Sequence, residues 1–75
     1  MNNIRRKILG KCCDNLQDVV NMLEELRSIE EDCLENIPES FVDTDRYSTL
    51  EENCDHLNDA ISSVEEAISE LEAIE

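Results

Sequence analysis

The sequence predicts an all-α fold: an antiparallel helical hairpin of two long amphipathic helices that dimerises into a four-helix bundle. Three observations support this prediction. Apolar residues recur at helical spacing in both halves of the chain, a connection with the single proline separates the halves, and 75 residues with one Phe, one Tyr and no Trp supply little apolar area for a core. The expected domain, 1–75, has a basic head at 1–11, helix one at about 3–36, a connection at about 37–47 and helix two at about 48–74.

The second half carries a heptad pattern, in which apolar residues alternate steps of four and three. Its members are Leu50, Cys54, Leu57, Ile61, Val64, Ile68 and Leu71. Ala60, Ala67 and Ile74 recur every seven residues beside them and widen the apolar surface towards the face of a bundle. Helix two is therefore expected to bury one face and to leave its acidic positions in water.

The first half follows the same spacing but loses its register. The repeating residues are Leu9, Cys12, Leu16, Val19, Leu23 and Leu26. Glu30 then falls where an apolar residue is expected, and Ile29 stands in for it, which we interpret as a register slip. Cys33 and Ile37 resume the pattern.

Helix one is also apolar on a second side. Val20, Met22, Ile29 and Leu34 lie off the main stripe, so this helix is expected to lie between two neighbours. A single hairpin would leave that second side in water, and a symmetric dimer would cover it. The residues predicted to form the core and the self-association surface are Leu16, Val19, Val20, Leu23, Leu26, Ile29, Leu50, Leu57, Ile61, Val64, Ile68 and Leu71.

Capping residues predict where the helices end and begin. Asn36 and Ile37 precede Pro38, and a proline disfavours helical angles in the residue before it, so helix one should end there. Ser48 and Glu51 form an S-x-x-E capping box that would start helix two. Asp43 or Thr44 would start it a turn earlier.

The net charge of −14 is unevenly distributed. Residues 1–11 carry four cations and no acid, whereas residues 12–75 carry two cations against all 20 acids, which is −18. Such a body repels nucleic acid and anionic membranes and favours cationic surfaces of other proteins. The candidate acidic partner face is Glu51, Glu52, Asp55, Asp59, Glu65 and Glu66. With neither a membrane span nor the apolar core of a signal peptide, the chain is expected to be cytoplasmic.

The sequence does not predict an enzyme, a metal site or a cofactor site. Acid–base catalysis needs a carboxylate in a dry cleft, which a two-helix rod does not offer. Glu30 is expected to be solvated at the register slip, with pairing to Arg27 as the alternative. The sequence has no C-x-x-C pair, and Cys54 and His56 point from different faces of a helix, so zinc is not expected.

Cysteines occupy the predicted apolar positions. Cys12, Cys33 and Cys54 fall on the stripes, where a free thiol acts as a small hydrophobe. Cys33 and Cys54 lie at similar distances from the connection, so a disulfide under oxidation stays open, although reduced thiols are expected in the cytosol. The sequence assigns no role to Cys12 and Cys13.

The basic head supports one alternative function. In an antiparallel dimer, Arg5, Arg6 and Lys7 of one copy would approach Arg46 and Tyr47 of the other. Cations beside an aromatic ring suit a phosphorylated nucleotide. The simpler interpretation is that the head neutralises the acidic body of a neighbour and steers assembly.

Several segments resemble small acidic helical-hairpin proteins encoded by phages and prophages of low-GC Gram-positive bacteria. These segments are Glu30-Glu31, Asn36-Ile37-Pro38-Glu39-Ser40, Arg46-Tyr47 and the run from Leu57 to Ile68. The N-x-P-E-S connection and the R-Y pair are the most specific of them, and the four cysteines depart from the pattern. The resemblance implies a hairpin fold and a phage accessory role, without an assigned activity.

These observations lead to three functional hypotheses. The first is a non-enzymatic phage accessory protein, an acidic helical oligomer that binds and inhibits a host defence protein, with imitation of nucleic-acid charge as the means. The second is an oligomeric sponge that sequesters a signalling nucleotide with the cations and Tyr47 described above. The third is a structural coiled-coil interaction module. The expected partners are the chain itself and a host protein, without direct contact to nucleic acid or membrane.

Overall fold

The chain folds as a helical hairpin, as predicted. A computed structural model describes residues 1–42 and 44–75, in which α1 spans Asn3–Glu35 and α2 spans Asp45–Glu72. A one-turn 3-10 helix, Glu39–Phe41, lies in the connection. The two long helices pack against each other along a rod with extents of 60 × 15 × 12 Å.

Side-chain caps fix the start of each helix. Asn2 caps α1, since its side-chain oxygen accepts a hydrogen bond from the Arg5 amide at 2.9 Å. Thr44 caps α2, since its hydroxyl oxygen accepts from the Tyr47 amide at 3.4 Å and the hydroxyl donates to the Phe41 carbonyl at 2.7 Å. Each cap supplies an acceptor for an amide that has no partner within the helix.

The start of α2 predicted at Ser48 is wrong, and the alternative start at Thr44 is correct. Thr44 offers its hydroxyl one turn earlier, and the acidic Asp45 lies in the first turn, where it is favourable for the helix dipole. Asp43, the other alternative cap, lies outside the described residues. The start of α1 at residue 3 agrees with the prediction, and Asn36 is its C-cap.

A continuous interhelix seam joins the two helices, and every residue in it is buried or half-buried. On α1 it consists of Leu9, Cys13, Leu16, Val20, Leu23, Arg27, Glu30 and Leu34, with Ile37 just beyond. On α2 it consists of Tyr47, Leu50, Cys54, Leu57, Ile61, Val64, Ile68 and Leu71. Both sets alternate steps of four and three, the spacing of knobs-into-holes packing. The heptad pattern predicted for α2 is therefore confirmed.

The register predicted for α1 is only partly correct, since Leu9, Leu16, Leu23 and Ile37 lie in the seam but the residues predicted between them do not. The exposed residues that had been assigned to the seam are Cys12, Val19, Leu26, Ile29 and Cys33. The next residue along the chain takes the seam position in each case, so Val20 and Arg27 replace Val19 and Leu26. No register slip occurs in the described helix, because polar Arg27 and Glu30 occupy seam positions.

The core lies at the middle of the rod. Val20, Ile61 and Ile68 form a cluster of buried side chains, and Val20 and Ile61 are 2% and 4% exposed. Leu16, Leu23 and Val64 pack against this cluster. All six belong to the predicted core, whereas predicted Val19, Leu26 and Ile29 are 41%, 45% and 52% exposed.

Shortening Ile61 should destabilise the hairpin strongly. We expect Ile61→Ala to lower the free energy of unfolding by about 2–4 kcal/mol, because it leaves a cavity between α1 and α2. Urea denaturation followed by circular dichroism measures this loss. The exposed neighbour Ser62 supplies the control, and Ser62→Ala should stay within about 0.5 kcal/mol of the parent. Equal losses in both variants would contradict the seam described here.

Candidate functional site

A second apolar stripe on α1 lies beside the interhelix seam, on a side of the helix that α2 leaves exposed. We call it the outer stripe, and its members are Ile8, Cys12, Asn15, Val19, Met22, Leu26, Ile29 and Cys33. They alternate steps of four and three, each lying one residue before a seam position. All eight are exposed, and Met22 reaches 68%. Helix α1 thus carries two complete heptad patterns side by side, and α2 covers one of them.

One column of α2 lies on the same side of the hairpin as the outer stripe. This alanine column consists of Asn53, Ala60 and Ala67, with Ile74 just beyond the end of the helix. The side is fixed by contacts, since Asn53 donates a hydrogen bond to Glu30 and lines a pocket of about 290 Å³ with Leu26. The outer stripe and the alanine column together form the apolar face.

A larger pocket lies at the end of this face beside the connection. It has a volume of about 550 Å³ and is lined by Cys33, Asn36, Ile37, Pro38, Phe41, Thr44 and Arg46. Cys33 is the last residue of the outer stripe, and Phe41 is 55% exposed. The pocket therefore extends the apolar face past the end of α1. Sequence analysis did not find it, because the 3-10 turn that places Phe41 there has no periodic signal.

Acidic residues avoid the apolar face. No position of the outer stripe or the alanine column is Asp or Glu, although 20 of the 75 residues are acidic. Every residue of the predicted acidic partner face is exposed on the remaining sides of α2: Glu51, Glu52, Asp55, Asp59, Glu65 and Glu66. The hairpin thus separates an apolar surface from an acidic one.

Two polar pairs replace apolar contacts within the interhelix seam. Arg27 Nη1 donates to Asn58 Oδ1 at 2.9 Å, and its Nε lies 3.8 Å from Glu31 Oε1. Asn53 Nδ2 donates to Glu30 Oε2 at 3.4 Å. Glu30 is half-buried at a seam position and is not solvated at a register slip as predicted, and its hydrogen-bond partner is Asn53 rather than Arg27. These hydrogen bonds can form in only one alignment of α1 and α2. The asparagines of α2 are the sequence signal that could have predicted them.

The cations of the nucleotide hypothesis lie at opposite ends of one chain. Arg5, Arg6 and Lys7 are on the first turns of α1, whereas Arg46 and Tyr47 begin α2 at the far end of the 60 Å rod. The Arg6 side chain donates to the Met1 carbonyl at 3.2 Å. One copy therefore does not bring this set together, and the nucleotide alternative requires a second.

The four cysteines are free thiols in different environments. Cys12 and Cys33 are exposed on the outer stripe, Cys13 is half-buried in the seam and Cys54 is buried there. Burial raises the pKa of the Cys54 thiol, and the nearby charges of Glu31, Glu30 and Asp55 raise it further. The thiolate of Cys54 is thus disfavoured in the folded chain.

Comparisons with known proteins gave no family for the chain. A scan against protein-family models, a search of curated proteins and a search of solved structures each found no match. Within residues 1–42 and 44–75, no group of three or more His, Cys, Asp or Glu side chains is placed to hold a metal ion. Neither long helix described here has the length and hydropathy needed to cross a bilayer.

Replacing the two polar residues of α1 in the seam, Arg27 and Glu30, with leucine should stabilise the hairpin. We expect Arg27→Leu/Glu30→Leu to raise the free energy of unfolding by about 1–4 kcal/mol, because well-packed apolar side chains often stabilise a fold more than partly buried charged groups do. Denaturant titration measures the change. The control is Glu24→Leu/Glu25→Leu, which removes two exposed charges outside the seam. A loss of stability in the seam variant alone would show that the polar pairs stabilise more than leucines.

Proposed function

We propose that this chain is a non-enzymatic binding protein whose acidic face occupies a cationic surface of a host protein and inhibits that protein. The separation of acidic and apolar surfaces on one rod carries this proposal. The resemblance to phage and prophage proteins supports a host protein as the target. A groove that normally binds nucleic acid is the favoured target surface, because it presents ordered cations to a rod of negative charge.

The spacing of carboxylates along α2 supports imitation of a nucleic-acid strand. Acidic residues from Glu51 to Glu72 number eight over 22 positions. At about 1.5 Å per residue this is roughly one charge per 4 Å of axis. A single nucleic-acid strand carries one phosphate per about 3.4 Å. The two densities are similar enough for the helix to meet a row of Arg and Lys side chains.

The rigidity of the rod also favours this binding mode. The carboxylates of the acidic partner face project from one helix held along its length by the interhelix seam. Their positions are therefore set before a partner arrives, which reduces the ordering cost of association. The apolar face lies elsewhere, so the acidic face stays accessible when the apolar face is covered.

Reversing two charges on the acidic partner face should abolish capture of a basic partner. We expect Glu65→Lys/Glu66→Lys, immobilised and exposed to lysate of the bacterial host, to lose the proteins that the parent retains. A polyanion such as heparin should elute those proteins from the parent, because it competes for the same cationic surface. Quantitative mass spectrometry of the eluates, over a salt gradient, measures both effects.

The matched control reverses the same number of charges on α1. Asp14→Lys/Asp18→Lys gives an identical change in net charge at exposed positions outside the acidic partner face. It should retain the captured proteins. Equal losses in both variants would indicate a nonspecific charge effect, and capture that ignores salt, heparin and Glu65→Lys/Glu66→Lys would contradict charge imitation altogether.

A further inference from the structure

We propose that a second copy of this chain covers the apolar face, with the two α1 helices packed antiparallel along their outer stripes. The product is a four-helix bundle in which the connection of each hairpin lies over the basic head of the other. This assembly uses the side of the rod opposite to the acidic partner face, so it stands whether or not that face binds a host protein.

Only another α1 matches the outer stripe within this chain. The stripe extends from Ile8 to Cys33 with apolar residues at seven of its eight positions. Helix α2 offers the narrower alanine column, whose neighbouring residues His56, Ser63 and Glu70 are polar. Two outer stripes facing each other bury both at once, which is the self-complementary contact that two-fold symmetry requires. The small Ala60 and Ala67 then let the α2 helices approach.

Charge along the rod selects the antiparallel orientation. Beside the outer stripe runs an exposed column of Lys11, Asp18, Glu25 and Asp32. In a parallel pair each residue lies at the level of its own copy, so the two basic heads adjoin each other and the acidic segments do likewise. In the antiparallel pair Lys11 of each copy lies near Asp32 of the other, giving two attractive contacts, while Asp18 lies near Glu25 and gives two contacts of like charge. The basic head also moves away from its twin and towards the acidic end.

One register aligns the apolar residues of the two stripes throughout. With Ile8 of one copy opposite Cys33 of the other, the remaining pairs follow from the heptad spacing. They are Cys12 with Ile29, Asn15 with Leu26, and Val19 with Met22. The exposed stripe residues of each copy then contact side chains of the same kind, and Asn15 is the single polar interruption.

The same register explains the pocket beside the connection. Ile4 and Ile8 are 70% and 57% exposed, and both project from the basic head. The antiparallel register puts Ile8 of the second copy against Cys33 and sets Ile4 at the level of Ile37, and both Cys33 and Ile37 line the pocket of about 550 Å³. The head of each copy thus supplies the apolar side chains that fill the pocket of the other.

Oligomeric state with one matched pair of variants tests the interface. We expect the parent to have twice its 8.6 kDa chain mass by light scattering. Met22→Glu should raise the dimer dissociation constant at least about thirtyfold, as for a central interface residue. Met22 is 68% exposed in the single hairpin, so this variant should keep its helical circular dichroism. Gln17→Glu adds the same charge on the other side of α1 and should remain dimeric.

Three results would overturn the interface. These are a parent that stays monomeric up to about 1 mM, a Met22→Glu variant that stays dimeric, and equal dissociation by Met22→Glu and Gln17→Glu. The first would leave the apolar face to a different protein. The second would place the contact on another surface of the rod, and the third would make net charge alone responsible.

Cross-linking through the native cysteines tests the orientation. In a Cys13→Ser/Cys54→Ala background, a short bismaleimide should join Cys12 of one copy to Cys33 of the other, which lie about 6 Å apart along the axis in the proposed register. Chains that keep only Cys12 or only Cys33 should not cross-link, because identical residues are then about 25 Å or more apart. Dimers from either single-cysteine chain would indicate a parallel pair and overturn the proposal.

Discussion

The structure depends on one constraint: α1 carries two apolar stripes one residue apart, and one hairpin supplies a single α2 to cover them. The interhelix seam uses the stripe that contains Val20, which leaves the stripe that contains Val19 in water. Adjacent positions on a helix differ by about 100° in direction, so α2 buries the stripe of Val20 and leaves the other stripe largely exposed. The placement of the acidic residues follows the same division, since none of them lies on the outer stripe or the alanine column.

The stripe of α1 that packs against α2 is not the more apolar of the two. The seam accepts Arg27 and Glu30, while Leu26 and Ile29 stay outside. Hydrogen bonds with Asn58 and Asn53 on α2 offset the cost of placing Arg27 and Glu30 in the seam, because leucine could not form such bonds. A polar contact at a fixed level prevents the helices from sliding by a heptad, a displacement that apolar residues alone would tolerate.

Sequence patterns predicted the two helices and the face of α2 that packs against α1. They did not predict which residues of α1 pack against α2. Where one stripe dominated, as from Leu50 to Leu71, the heptad pattern identified the seam correctly. In α1, assigning the most apolar residue at each step to the seam mixed residues of the two stripes. This produced a predicted register slip that the structure does not have. The exposure of the acidic partner face followed from composition, whereas the pocket at Phe41 depended on a turn without periodicity. The Thr44 cap was recognised only as an alternative, since Ser48 offers the same chemistry one turn later.

The buried thiol of Cys54 provides an intrinsic probe of helix separation. Its raised pKa and its position in the seam keep it from reacting while α1 and α2 are in contact. Alkylation of this residue therefore requires a local opening of the hairpin. When alkylation is slower than reclosing, its rate measures the equilibrium population of the open state. The chain carries this probe next to Asn53, whose hydrogen bond to Glu30 helps to set the register, without any engineered label.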